Sequence, residues 1–184
     1  MTKRKQANGR HRVEVVSGSS TLTSAGGVFD LEPALFTQRL SPISDVFSLY
    51  RFTSLEFKWE HPSQTAVLGY SNGVSDAPPT SDATIIELEY SDINFGSQTI
   101  PTSFKVPRSY LLGQSNQSWW KTRATANQVP MEFVQGQICV GGTTGFTFLV
   151  RWTCELSGWI VGAATPAPAH VTVDPAPPMC GPGS

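Results

Sequence analysis

Residues 2–12, TKRKQANGRHR, contain Lys3, Arg4, Lys5, Arg10 and Arg12, five cations in eleven residues with no acid among them. By itself such a run fits nuclear import, a membrane surface or nucleic acid, where each cation can neutralise a phosphate without reading a base. His11 lies within the same run. The rest of the chain is opposite in sign. Of 13 Lys and Arg and 14 Asp and Glu in the whole sequence, setting these five aside leaves eight bases against fourteen acids, a formal −6. No large apolar side chain follows Met1 in residues 1–12, so burial cannot offset the entropy of ordering them. They read as a flexible basic arm.

Other chemistries find less support. The three histidines, His11, His61 and His170, lie in unrelated contexts, and there is no HExxH, GxSxG or Walker pattern. With no nucleophile and base paired by spacing, the sequence does not read as an enzyme. Asp76, Asp82, Glu87, Glu89 and Asp92 crowd one region. Around a turn and a helix start they read as caps and dipole partners, with a hard-cation site as the sharper alternative. Trp119 and Trp120 stand beside Lys121 and Arg123, as in a base-stacking patch. Neighbours on a strand face opposite sides, however, so one tryptophan belongs to the core and the other to an interface. Cys139, Cys154 and Cys180 form no CxxC, and the first two fall in apolar runs as small core residues. A bridge between them stays open if their strands adjoin. No apolar run approaches the ~20 residues of a membrane span, and no signal-peptide or lipid-anchor pattern is present, so no membrane partner is expected.

The elements that would carry these residues are mostly strands. Segments beginning at HRVEVV, GGVFDLEP, YRFTSLEFKWEH, TAVLGYS, QTIPTSFKVP, MEFVQGQICVGG and GFTFLVRWTCELSGWIV show β-type apolar patterning. The last two are separated by GGTTG, which reads as a hairpin loop. LFTQRLSPISDVFSLY spaces its apolar residues as helical turns broken near Pro42, and PPTSDATIIELEYS predicts a helix capped by Thr80 or Ser81. From residue 163 onward the chain is a tail, with six prolines in its last 19 residues. About eight short strands with two short helical insertions make an all-β sandwich or jelly roll over residues 13–162.

Four stretches, in order, resemble the shell domains of sobemovirus, polerovirus and tombusvirus coat proteins. They are ALFTQRLSPISDVFSLYRFTSLEFKWEHP, AVLGYSNGVSDAPPTSDATIIEL, SWWKTR and GQICVGGTTGFTFLVRWTCEL. The resemblance implies a single eight-stranded antiparallel jelly roll that tiles an icosahedral shell of about 60 or about 180 copies. It implies a virion component, assembled in the host cytoplasm, that encloses viral single-stranded RNA. Lys3, Arg4, Lys5, Arg10, His11 and Arg12 would then contact that RNA from inside. It also implies an inter-subunit Ca²⁺ site in the acidic loop. Asp76 matches one family aspartate, while the other position falls near Asn72 or Gly73. A β-sandwich binding module, lectin-like or of RNA-chaperone type, would share the strand pattern without forming a shell.

Overall fold

The computed structural model describes residues 13–36, 39–59, 65–75, 77–96, 103–113, 119–123, 129–142 and 145–159. These residues contain nine strands: β1 (Glu14–Ser24), β2 (Gly27–Asp30), β3 (Phe47–Trp59), β4 (Ala66–Asn72), β5 (Tyr90–Asn94), β6 (Ser103–Val106), β7 (Trp120–Lys121), β8 (Gly136–Gly142) and β9 (Phe146–Trp159). Three short helices accompany them: α1 (Leu40–Ser44), α2 (Asp82–Ile86) and α3 (Arg108–Gly113). The first sheet has the order β1-β9-β3-β6, with β7 also on β3, and the second the order β2-β8-β4-β5. All pairings are antiparallel. Setting aside the two-residue β7, the chain alternates between sheets except at β4 and β5, which pair as neighbours in the second, as in an eight-stranded jelly roll. The helical insertions number three rather than the two expected, because RSYLLG is too short to show a helical period.

Strand β3 shows how the sequence builds the sandwich. Phe52, Leu55, Phe57 and Trp59 are all buried, yet Phe52 and Leu55 are three residues apart and cannot share one face of a regular strand. A register shift between Phe52 and Ser54 inserts the extra residue that turns both inward. The fully buried Gln135 side chain closes the gap. Its Oε1 accepts from the Phe52 N–H at 2.6 Å, and its Nε2 donates to the Phe52 and Leu111 carbonyls at 2.9 and 3.1 Å. Along β9, Phe148, Val150, Trp152, Cys154 and Leu156 point inward in strict alternation and complete the core.

A second, smaller core lies on the other side of the second sheet. There α2 covers β4 and β8, with Ile85 packed on Val67 and Cys139. The Ser81 side chain caps this helix by accepting from the Thr84 N–H at 3.3 Å, as expected. Close approach of α2 requires two glycines. A Cβ at Gly69 would lie 2.7 Å from Leu88 Cδ1, and one at Gly141 would lie 2.3 Å from Asp82 Oδ1.

One local expectation fails. GGTTG does not join a hairpin: β8 belongs to the second sheet and β9 to the first, so the two strands do not pair with each other. Gly142, at φ +123°, takes a conformation that side chains resist and turns the chain out of the β8 ladder. Cys139 and Cys154 consequently sit in different sheets as free, buried thiols. Burial pushes Cys139 up to about 11 and raises Cys154 further.

Between β2 and the 3₁₀ turn Pro33–Leu35, burial raises the Glu32 carboxyl above its ordinary value, and the Asp30 charge adds to this. Here the folded state holds a proton that the unfolded chain has released, so stability falls as pH rises from about 4.5 through the raised value. Glu32→Gln is expected to remove that slope and raise the unfolding temperature at pH 7 relative to pH 5. Thermal scans at both pH values measure it, and an unchanged difference would count against the assignment.

Candidate functional site

The surface suited to a phosphate backbone is built from the solvent side of the first sheet. Alternation decides which side chains reach it. With Leu55, Phe57, Phe104 and Val106 turned inward, Glu56, Lys58 and Lys105 project outward. On β9 the same rule leaves Arg151, Thr153 and Glu155 outward, and on β1 Ser17 and Ser19. Arg51 on β3 and Arg108 at the start of α3 lie at the end of this field. Both reach Glu155, with Arg51 Nη2 at 2.6 Å and Arg108 Nη2 at 3.4 Å from its carboxylate.

Five cations therefore share this face with two carboxylates, Glu56 and Glu155. Arg151 is 3.8 Å from Glu56, and both Arg151 and Arg108 remain at least half exposed. Lys58 and Lys105 have no ion-pair partner among the described residues. A depression of about 490 Å³ opens on β1, β9 and β3, where Arg39 and Arg151 stand with the hydroxyl residues Ser17, Ser19, Ser54 and Thr153. Glu56 also borders it.

The second sheet carries the opposite charge. Residues 65–96, spanning β4, α2 and β5, contain no Lys or Arg but include Asp82, Glu87, Glu89 and Asp92. Strand β2 adds Asp30, and β8 carries no base. All eight Lys and Arg beyond residue 12 fall on the first sheet or on the segments that adjoin α1, α3 and β7.

The residues expected from sequence to do chemistry are placed unevenly. Lys3, Arg4, Lys5, Arg10, His11, Arg12 and Asp76 lie outside the described residues. The chain enters the description at Val13, beside the first paired residue of the edge strand β1. Asn72 ends β4, with its Nδ2 donating to the Tyr110 carbonyl at 2.6 Å, so its side chain offers a cation one neutral amide oxygen. No group of three His, Cys, Asp or Glu that could hold a metal occurs among the described residues.

Asp82 makes a structural contact: its Oδ1 accepts from the Gly142 N–H at 2.8 Å and ties α2 to β8. The tryptophan pair divides as alternation requires. Trp120 is buried against Tyr50, and the Trp119 ring lies 4.2 Å from the Arg51 guanidinium in a cation–π contact. Sequence reasoning missed the outward cations of the first sheet. The signal was available in β3 and β6, where Lys58 stands between the buried Phe57 and Trp59 and Lys105 between the half-buried Phe104 and the buried Val106.

No protein-family model matches the chain, and no curated protein sequence does. Solved structures do share its fold. The semi-empty VLP of giant freshwater prawn Macrobrachium rosenbergii nodavirus matches with a TM-score of 0.64 at 12% identity, over 86% of this chain and 100% of that one. Cocksfoot mottle virus matches at 0.60 and 15% identity, over 87% of this chain and 93% of that one. A T=1 subviral particle of a Penaeus vannamei nodavirus capsid protein deletion mutant matches at 0.57 and 12% identity, over 82% and 96%. The chain therefore has the two-sheet fold of these viral shell structures, along nearly their whole length.

Proposed function

We propose that this chain is the coat protein of a small icosahedral plus-strand RNA virus, which self-associates into a closed shell around single-stranded RNA. The observation that carries the reading is the near end-to-end match of its jelly roll to the chains of viral particles. In this reading residues 13–162 tile the shell, the arm of residues 1–12 neutralises RNA phosphate inside it, and residues 163–184 form a Pro-rich tail. The protein is then a virion component and works by packing rather than by catalysis.

Exposed apolar side chains at the rims of the sandwich support self-association. Phe95, Val129, Met131 and Trp159 are each more than half exposed. Scattered patches of this kind suit many modest, symmetric contacts summed over a shell. The test is negative-stain microscopy of the purified full-length chain, together with nuclease treatment. Closed particles of uniform diameter that protect RNA are expected, and the diameter separates about 60 from about 180 copies. A monomer or dimer that persists across pH and salt, with no RNA retained, would overturn the proposal.

A further inference from the structure

We infer that the solvent side of the first sheet is a second contact for the RNA backbone, independent of the arm, with Lys58, Lys105, Arg108 and Arg151 as its phosphate-binding cations. The inference rests on the coat-protein reading and adds to it which face of the sandwich turns toward the cargo.

Three observations converge on it. The first is segregation of charge: every Lys and Arg outside the arm lies on or beside the first sheet, and the β4-α2-β5 side carries acids alone. A polyanion is attracted to the first surface and repelled by the second. Next is availability. Lys58 and Lys105 lack ion-pair partners among the described residues, and Arg108 and Arg151 stay 59% and 50% exposed despite their contacts with Glu155 and Glu56. Finally, the arrangement is extended. These cations spread over β3, β6, β9 and the start of α3, with neighbouring strands spaced about 4.8 Å apart. Such a field suits successive phosphates of a strand lying across the sheet rather than one compact anion. The depression between Arg39 and Arg151, with its hydroxyl residues, supplies donors for one phosphodiester of that strand.

The occupant is single-stranded RNA rather than an acidic protein, because the same chain already carries a phosphate-neutralising arm. That arm joins the fold at β1, the edge strand of this same sheet. RNA held by the arm is thereby delivered to the face that can receive it.

The test measures binding of full-length protein to poly(U) across a range of salt, comparing the native chain with Lys58→Gln/Lys105→Gln. Both positions are outward, and circular dichroism confirms that the variant folds. Removing two phosphate contacts is expected to flatten the plot of log affinity against log salt by about 1.4, so that the affinity lost between about 50 and 200 mM salt is roughly sevenfold smaller. An unchanged slope would overturn the inference. A second readout uses assembled particles and a bulky amine-reactive reagent. Lys58 and Lys105 are expected to label only after dissociation, and labelling in intact particles would overturn the assigned orientation. Failure to find particles at all would sink the coat-protein reading, while a flattened slope in the same protein would still support the RNA surface.

Discussion

Gln135→Leu is expected to lower the unfolding free energy by about 4 kcal/mol, from the desolvation of backbone groups left without partners. The wild-type amide meets three of them: the Phe52 N–H, the Phe52 carbonyl and the Leu111 carbonyl. The two Phe52 groups lie beside the register shift of β3, and the Leu111 carbonyl lies in α3, so one amide bridges strand and helix. A leucine has similar volume, so little of the loss comes from a cavity. Orphaned buried groups of this kind cost about 1–3 kcal/mol each, and relaxation recovers part of the sum. Against a total stability of about 5–15 kcal/mol, the loss is at least a quarter of the whole, and at the lower limit it leaves a measurable unfolded fraction. Denaturant unfolding of unassembled subunits gives the value. Gln135→Glu separates the roles: it keeps an acceptor for Phe52 N–H but loses both donors, and it should be at least as destabilising. A loss below about 1 kcal/mol for both variants would show that the bulge finds other partners.

Gln135 also marks where sequence reading stopped. The run MEFVQGQICVGG places two glutamines among apolar residues, in a segment that reads simply as a strand. In fact Gln135 is fully buried, and Gln137 is nearly so, donating to Asp30 at 3.1 Å. An amide amid apolar neighbours was the available clue, but its partners on β3 and α3 are remote in the chain and no local pattern names them.

Elements with strong periodicity were legible. The alternation in FKW and in FTFLVRW reflects sheets buried on one face, and the Ser81 cap follows from local hydrogen bonding alone. Strand β5 was hidden because only three residues separate Tyr90 from the end of α2, inside what reads as one continuous helix. Strand β1 runs to Ser24, well beyond HRVEVV, through a Ser/Thr-rich stretch with little apolar signal. Its register is set instead by β9 and by pairs such as Ser17 Oγ with Thr153 Oγ1 at 3.0 Å. GGTTG failed for the opposite reason. Its local chemistry permits a tight reversal, but the apolar face of β9 is satisfied only opposite β1 and β3, so long-range packing sent the strand to the other sheet. The arm was legible through charge alone, since a cationic run on an acidic chain needs no fold to be noticed.

Deleting residues 2–12 is expected to have the largest functional effect. The first paired residue of β1 is Glu14, opposite Leu156, so the truncation removes no ladder bond and should leave the jelly roll intact. It removes five of the thirteen cations in the chain. At about 0.7 per phosphate contact on a single strand, the salt slope of RNA binding should fall by about 3.5. Between about 50 and 200 mM salt, that is roughly a hundredfold of salt sensitivity lost with the arm. Particles of the truncated chain should carry less RNA, read as a lower ratio of absorbance at 260 to 280 nm. Retention should not be zero, because the first sheet keeps its own cations, and adding Lys58→Gln/Lys105→Gln to the truncation should lower it again. The charge count leaves room for a second surface. Five charges per arm in a shell of about 180 copies amount to about 900, short of the several thousand phosphates of even a small genome. RNA content unchanged by the deletion would mean that the arm is not the tether, and that the sheet holds the RNA by itself.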